Sequence, residues 1–488
     1  MSLAHRAVRG TAIILASSYA NMAMGIVYGI VMARLLDPEH FGLFASSLFF
    51  FSLVDVRGKL GLDYAFIHHA ATHDRLIATH WTLQTGGSLI TLGLTIASAA
   101  IVPALGYPAA IGPLMIAVGC AMIVEAAGTT ARAALEKELV FARSTAVVTG
   151  SLLLSYLAAI GLAAAGYTYW ALAGQVAVNA ALSSVWFWWA YRRLGQRPSI
   201  RFSFDRAIAG WMLRFGATLT LGSIATLILL QFDNFLVLTF VGAEVLGYYA
   251  QAYKVAQWPT GLVTHIVARV SLPTYSKLQN DPVRLSKAFE MSLWLILTAA
   301  LPIALAIFVS APDFLRLLWG EKWLPSATLL RFLIGYSVLR PLLDDTGALF
   351  AAIGQPKRIT VVLVVQALTL ILAATPLTLA FGVVGTAVGV GVAFGVGIAL
   401  TYRFVSRTIT VDVVRLFLPP TVAAIGSVAI YSALAGLIDL NALPILVRVI
   451  VKGGVAFGAF GAIALLLERH VLIERVGYLW QLLRGGAA

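Results

Sequence analysis

The sequence predicts an all-α integral membrane protein of about fourteen transmembrane helices. Two pseudo-twofold-related six-helix lobes would surround a central cleft, and two further helices would follow at the C-terminal end. Three observations point there: a composition too apolar for water, a series of apolar runs of bilayer length, and an internal repeat.

The chain has 488 residues, of which 60% are hydrophobic and 11% charged. Its mean hydropathy is +0.91. Soluble domains carry roughly 25% charged residues, so this chain lacks the polar surface to stay dissolved in water. It has 34 Lys and Arg against 21 Asp and Glu, a net charge of +13. In a membrane protein such an excess reports loop orientation before it reports a partner. No basic segment is interleaved with aromatics outside the apolar runs, which argues against nucleic acid. Cys120 is the one cysteine, so neither an intramolecular disulfide nor a cysteine-based metal site can form.

A helix needs about 20 apolar residues to cross a bilayer core about 30 Å thick. Fourteen such segments read along the chain, at about 10–35, 41–67, 77–102, 109–130, 144–165, 167–191, 209–240, 246–271, 288–310, 325–352, 359–380, 382–403, 415–437 and 443–467. The first follows His5, Arg6 and Arg9. Its run from Thr11 to Ala33 is too long for a signal-peptide core and ends in no cleavage site, so an uncleaved anchor is expected. The connections leave no room for a soluble domain. With the N-terminus inside, the inner loops and tails hold 22 basic residues and the outer loops three, Arg34, Arg316 and Lys322. That asymmetry predicts both termini on the cytoplasmic side. The stretch from Tyr191 to Arg206, with five arginines, is the natural border. It divides residues 1–195, the first lobe, from 207–410, the second, with 411–488 as two extra helices and a tail.

The halves resemble each other. "DPEHFGLFA" from Asp37 aligns with "GAEVLGYYA" from Gly242 at an offset of 205, matching Glu39 to Glu244, Gly42 to Gly247 and Ala45 to Ala250. The same offset carries Ser18 to Ser223, Asn21 to Thr226 and Tyr28 to Asp233. Copies that begin six crossings apart share one orientation, which gives parallel repeats about an axis along the membrane normal and suits alternating access.

Ionisable residues at membrane depth cost about 2.5–3.5 kcal/mol each on insertion scales and normally face a wet cavity or a partner. In the eighth segment, Gln251, Lys254, Gln257, Gly261, His265 and Arg269 fall on one helical stripe, and Trp258-Pro259 predicts a kink. The stripe reads as a cationic wall for an anionic group; the alternative is that Lys254 and Arg269 snorkel to opposite interfaces. In the second segment Ser52, Asp55, Lys59 and Asp63 share a face from which Arg57 points away, and Asp55 and Lys59 are also spaced to neutralise each other. In the first, Ser17, Ser18, Asn21, Gly25 and Tyr28 share a face whose counterpart in the seventh holds Gly222, Thr226 and Asp233. Asp233 is a candidate protonation or cation site, or one half of an ion pair. In the tenth, Arg331 is the better lone cation, while Arg340 and Asp344 are spaced to pair locally. Glu125 and Arg214 fit either a cleft or a structural role. "DFLRLLWGEKW", from Asp313 to Trp323, reads as a short interfacial helix on the outer face. There is no phosphate-binding Gly-Lys loop, His-Glu metal signature or nucleophile elbow, so no catalytic residue, metal or cofactor is expected.

Beyond these patterns, the stretches "ARLLDPEHFGLFA", "KLGLDYAFI", "FDNFLVLTFVGAEVLGYYAQAYKVAQWP", "RVSLPTYSKLQNDPVRL" and "FLRLLWGEKWLPSATLLRFL" resemble the Wzx-type polysaccharide flippases. The likeness is to their lipopolysaccharide and exopolysaccharide exporter branch, in the superfamily that also holds multidrug exporters and lipid II flippases. It implies an inner-membrane protein that is no enzyme and needs no cofactor. It would flip undecaprenyl-diphosphate-linked oligosaccharide units by alternating access, with the lipid-linked saccharide and membrane lipid as partners and a polysaccharide polymerase as a candidate one. The resemblance carries Lys254, Arg269, Asp233 and Asn234 onto a cleft that receives the diphosphate and sugar. Lys59 departs from a pattern in which an acid is frequent, which adds a cation. The substrate-binding set is thus Lys254, Arg269, Lys59, Arg331, Arg57, His265 and Gln257; the cleft-lining or coupling set is Asp233, Asn234, Asn21, Tyr28, Asp55 and Glu125. The alternatives are a cation-coupled multidrug exporter of the same architecture, which would want cleft carboxylates to dominate, and a lipid II flippase. A polymerase or glycosyltransferase would need a large outer loop, and none is present.

Overall fold

A computed structural model describes residues 3–55, 60–69, 74–193, 204–437 and 440–483, and among them every regular element is a helix. Nine helices among the described residues are long and apolar enough to cross a membrane. Of the remaining predicted segments, the sixth is a single helix and the second, eighth and tenth are broken, and the breaks have local causes.

The first segment is α1 (Leu3–Leu35). The second is split. Helix α2 (Pro38–Val54) opens with Pro38, whose missing N–H costs nothing at a helix start, and with the Asp37 N–H donated to His40 Nδ1 at 3.2 Å. It stops where Asp55 turns extended (φ −69°, ψ 95°), and the chain resumes at left-handed Gly61 (φ 55°) as the seven-residue α3 (Leu62–His68). The sequence suggested a loosened helix here; the structure has two. Then come α4 (Asp74–Ile101), α5 (Ile111–Lys137), α6 (Phe141–Ala164), α7 (Trp170–Arg192) and α8 (Arg206–Phe240). The Asp205 carboxylate caps α8 by accepting from the Ala207 and Ile208 N–H groups.

The eighth segment breaks where Trp258-Pro259 predicts a kink, into α9 (Ala243–Ala256) and α10 (Trp258–Leu278). The tenth breaks before Pro341 into α12 (Pro325–Ser337) and α13 (Arg340–Ala352). These breaks meet: Ser337 Oγ donates to the Ala256 carbonyl at 2.5 Å, supplying a donor to the end of α9. Between them runs α11 (Pro282–Trp319), 38 residues without interruption. At 1.5 Å per residue it is about 57 Å long, well beyond the hydrocarbon core. This corrects the reading of 313–323 as a separate interfacial helix: residues 313–319 are the last turns of α11. They are not free to lie in the interface because Asp313, Leu315 and Trp319 are buried.

Helix α14 (Pro356–Val405) is a hairpin of two helices joined at Gly382, whose φ of 60° and ψ of −142° suit glycine alone. The boundary matches the predicted segments at 359–380 and 382–403. Thr378 and Thr386 hydroxyls meet at 2.8 Å across the reversal. The last two helices are α15 (Val413–Leu437) and α16 (Ile445–Leu483).

The chain divides into two compact units, Met1–Ala250 and Gln251–Ala488. In the first, α5 packs between α4 and α7, α6 covers α7, α1 lies on α6, and α2 bridges α5 and α8. Its core gathers Phe66, Leu76, Leu135, Tyr191 and Met212. In the second, α11 is the spine, flanked by α10, α12, α13, α15 and α16. Large apolar side chains stand exposed on both, among them Val185, Leu372, Leu437 and Leu466. That inverts the soluble pattern and is the surface a lipid solvent requires.

The repeat has a structural counterpart. Gly42 sits against the Ala243 backbone carbonyl and Gly247 against the Pro38 backbone carbonyl. Position 243 is the 205-offset match of position 38, as 247 is of 42. The contact is reciprocal, as between elements related by a twofold.

Candidate functional site

In the first unit the candidate residues fall in three places. Asp233, on α8, is buried. Its Oδ2 accepts from the Tyr249 hydroxyl at 2.8 Å and its Oδ1 from the Asn234 N–H at 2.8 Å. Asn234 is half-buried and its amide donates to Gln231 Oε1 at 3.2 Å. Asp233 therefore has hydrogen-bond partners that carry no charge, and a carboxylate held so can bind a proton or a cation without first breaking a salt bridge. Asn21 and Tyr28 lie half-buried along α1. Tyr28 stacks on Tyr156 of α6 with centroids 4.1 Å apart and planes 9° from parallel. Asn21 Oδ1 is buried with no donor among the described residues. Ser18, on the same face, is satisfied by its own helix through the Ile14 carbonyl.

The third place is the break in the second segment. Asp55 ends α2, half-buried, and Glu125 is half-buried on α5. Arg57 and Lys59 lie outside the described residues. Beside the break is a cluster that the pattern reading did not single out. Asp63 of α3 meets His80 and Gln84 of α4, and His80 reaches Thr130 of α5. The signal was present in the sequence: His80 and Gln84 are one helical turn apart inside an apolar segment.

In the second unit, the polar stripe predicted along one continuous helix is interrupted at Gln257, which the break leaves half-buried. Before the break, Gln251 is buried while Lys254 is exposed, so the two do not share one environment. Beyond it, His265 and Arg269 fall within α10, and their side chains lie outside the description. Arg331 of α12 is exposed, with its Nε donating to the Phe308 carbonyl at 3.2 Å and its guanidinium 5.9 Å from that ring's centre. Asp344 faces Arg340 electrostatically. Asp345 turns inward and accepts from Ser271 at 2.5 Å and Tyr275 at 2.7 Å. Like Asp233, it is a buried carboxylate held by a tyrosine. The buried Asp313 is held differently, by Arg448 at 3.0 Å and Lys452 at 2.6 Å, which tie α16 to α11. Among the described residues no group of three His, Cys, Asp or Glu is placed to hold a metal ion.

The unit-by-unit geometry is that of a multi-pass membrane protein with broken spans and neutral-partnered carboxylates, the make-up of a transporter. The fold is shared with solved transporters. The chain superposes on "Lipid II flippase MurJ, inward closed conformation" with a TM-score of 0.70, at 15% identity, over 94% of this chain and 99% of that one. An inward-facing multidrug resistance MATE family transporter gives 0.61 at 18% identity, over 82% of this chain and 98% of that one. The family model described as polysaccharide biosynthesis protein matches residues 31–328, and the chain belongs to that family. Among its relatives, the "Lipopolysaccharide biosynthesis protein WzxC" of Escherichia coli (strain K12) is 28% identical over 357 residues, 72% of this chain and 71% of that one. The "Succinoglycan biosynthesis transport protein ExoT" of Rhizobium meliloti (strain 1021) is 25% identical over 60% of this chain and 58% of its own length. An "Uncharacterized membrane protein in cps region" of Klebsiella pneumoniae is 26% identical over 99% of both chains.

Proposed function

We propose that the protein is a flippase that moves undecaprenyl-diphosphate-linked oligosaccharide units across the bacterial cytoplasmic membrane for polysaccharide export. Family membership carries this reading: relatives are, by name, a lipopolysaccharide biosynthesis protein and a succinoglycan biosynthesis transport protein. It works as a transporter and not as an enzyme, by alternating access of two six-helix lobes, 1–195 and 207–410, with 411–488 accessory to them. Both termini are cytoplasmic, and a polysaccharide polymerase is the protein that would consume the flipped unit.

The chemistry supports the reading. A diphosphate leaving water must exchange its hydration for fixed cations, and charge-assisted hydrogen bonds supply the compensation. Lys254 and Arg331 are exposed cations on broken spans, and with Arg269, Lys59, Arg57, His265 and Gln257 they form the proposed substrate-binding set. Asp233, Asn234, Asn21, Tyr28, Asp55 and Glu125 form the proposed lining or coupling set. The lipid tail can stay in the bilayer while the head alone crosses.

The test is a flipping assay. The purified protein is reconstituted in vesicles with an undecaprenyl diphosphate-linked saccharide, and the saccharide reaching the opposite leaflet is measured by lectin capture. Lys254→Ala should lower the rate about tenfold or more, since a hydrogen bond to a charged group contributes about 1.5–3 kcal/mol. A wild-type protein that flips no diphosphate-linked saccharide would overturn the function; an unimpaired Lys254→Ala would remove Lys254 from the binding set.

A further inference from the structure

The cluster beside the break in the second segment has features that the two tyrosine-held carboxylates lack. Its acid, Asp63, lies on a short helix that starts from a left-handed glycine, and its side chain is 48% exposed. Its base, His80, is completely buried on α4. Asp63 Oδ1 lies 3.3 Å from His80 Nε2 and accepts from Gln84 Nε2 at 2.6 Å. The other imidazole nitrogen, Nδ1, is 2.9 Å from the Thr130 hydroxyl of α5. The ring packs 4.8 Å from Phe66. The acid of the pair is thus half-exposed and the base is sealed in the protein.

We propose that Asp63 and His80 form the site at which this transporter takes up and releases the proton that drives it. This deepens the flippase reading and rests on it for the word transporter. Three features carry the inference.

The first is hydrogen count. With a neutral imidazole, Nε2–H donates to Asp63 and Nδ1 accepts from Thr130. Gln84 Oε1, buried beside them, has no donor among the described residues. The cluster has acceptors to spare and is short of hydrogen.

The second is the nature of Thr130. A hydroxyl both donates and accepts. When His80 gains a proton, Nδ1–H donates to Thr130, whose own hydrogen turns away, and Nε2–H continues to donate to Asp63. No hydrogen bond is lost in either state.

The third is charge. Among the described residues, the neighbouring charges are themselves engaged. Arg132 of α5 acts on Asp63 but is itself paired with Glu136 at 2.9 Å, and Glu125 lies within its field. Lys137 is turned to the far end of α3, where it donates to the carbonyls of Phe66 at 3.2 Å and His69 at 2.6 Å. His68 is stacked on Phe215 of α8, away from the pair. Protonation therefore creates an ion pair between α3 and α4, and deprotonation removes it.

The test has two arms on the full-length protein. In the first, the protein with 15N-labelled histidine is held in lipid nanodiscs, and the imidazole nitrogens are followed by NMR from pH 5 to 9. The His80 signals are identified by their loss in His80→Gln, or by their displacement in Thr130→Val should the former not fold. The proposal expects the His80 nitrogens to change protonation state within this range, and that change to be displaced in Asp63→Asn. In the second arm, vesicles flip the diphosphate-linked saccharide with and without an imposed proton gradient. The ratio of the two rates should fall to one in His80→Gln and Asp63→Asn. A His80 that does not titrate between pH 5 and 9 overturns the proposal, whatever the vesicles do. So does a gradient response lost in Asp233→Asn but kept in the His80 and Asp63 variants, because the proton is then carried at Asp233. A wild-type protein that does not flip the saccharide sinks the substrate reading and the driving role built on it. The proton-binding pair is then judged by the NMR arm alone.

Discussion

Replacing the matched glycines Gly42 and Gly247 by alanine tests the reciprocal contact between the two copies of the repeat. A Cβ at 42 would lie 1.7 Å from the Ala243 carbonyl oxygen, and one at 247 would lie 1.9 Å from the Pro38 carbonyl oxygen. Both obstacles are backbone, so no side chain can rotate away. Carbon and oxygen need roughly 3.3 Å, so the first turns of α2 and α9 must separate by about 1.5 Å in either variant. Overpacking of this kind costs about 1–3 kcal/mol. Close helix approach through small residues is also a main source of packing energy in a bilayer, which has no hydrophobic drive between helices. The reciprocity adds a sharper expectation. Once the turns have parted for one methyl, the second fits into the space already made. The double variant should then cost less than the two singles together, with a coupling of about 1 kcal/mol or more. The assay is denaturant unfolding of the four purified proteins in the same nanodiscs, compared as a double-mutant cycle. Single variants as stable as the wild type would refute the contact; strictly additive losses would refute its reciprocity.

Four other expectations follow from the geometry. Asp313→Asn should loosen α16 from α11, since it leaves Arg448 and Lys452 facing each other half-buried; removing one partner of a buried ion group costs about 3–5 kcal/mol, read as faster proteolysis of the C-terminal helices. Lys452→Met should be milder, because Arg448 remains to neutralise Asp313. Asp345→Ala should destabilise the second unit by about 1–3 kcal/mol in the same unfolding assay, by stranding the buried hydroxyls of Ser271 and Tyr275, whereas Asp345→Asn keeps an acceptor and should cost less. Asp233→Asn should leave the response of flipping to a proton gradient in place, since that response is assigned to Asp63 and His80, and its loss in this variant would move the coupling to Asp233.

The candidate site was legible in part. Asp233 drew notice because a carboxylate deep in an apolar run is costly, and it is indeed buried; its partner Tyr249 was not apparent, because a tyrosine sixteen residues on gives no signal of its own. Lys254 and Gln257 were legible as polar residues near a Trp-Pro pair, and the break falls there. The stripe through them assumed an unbroken 100° advance, which the break at Gln257 ends. His80 was passed over although Gln84 stands one turn away from it, because its partners Asp63 and Thr130 come from other helices and meet it only in the fold.

The sequence by itself determined the membrane class, the helical content and the positions of most spans. The reason is that lipid offers no hydrogen-bond partner, so each span must satisfy its backbone locally, and local rules are readable in one dimension. The reversal at Gly382 and the break at Pro259 were legible for the same reason, whereas the break before Pro341 falls inside a stretch that read as one segment. Only the tertiary structure decided which buried polar groups meet: Asp345 with Ser271 and Tyr275, Asp313 with Arg448 and Lys452, Asp63 with His80, and Gly42 with the carbonyl of Ala243. Those pairings join residues far apart in the chain, and their energy depends on distance in space, which spacing in the sequence does not encode.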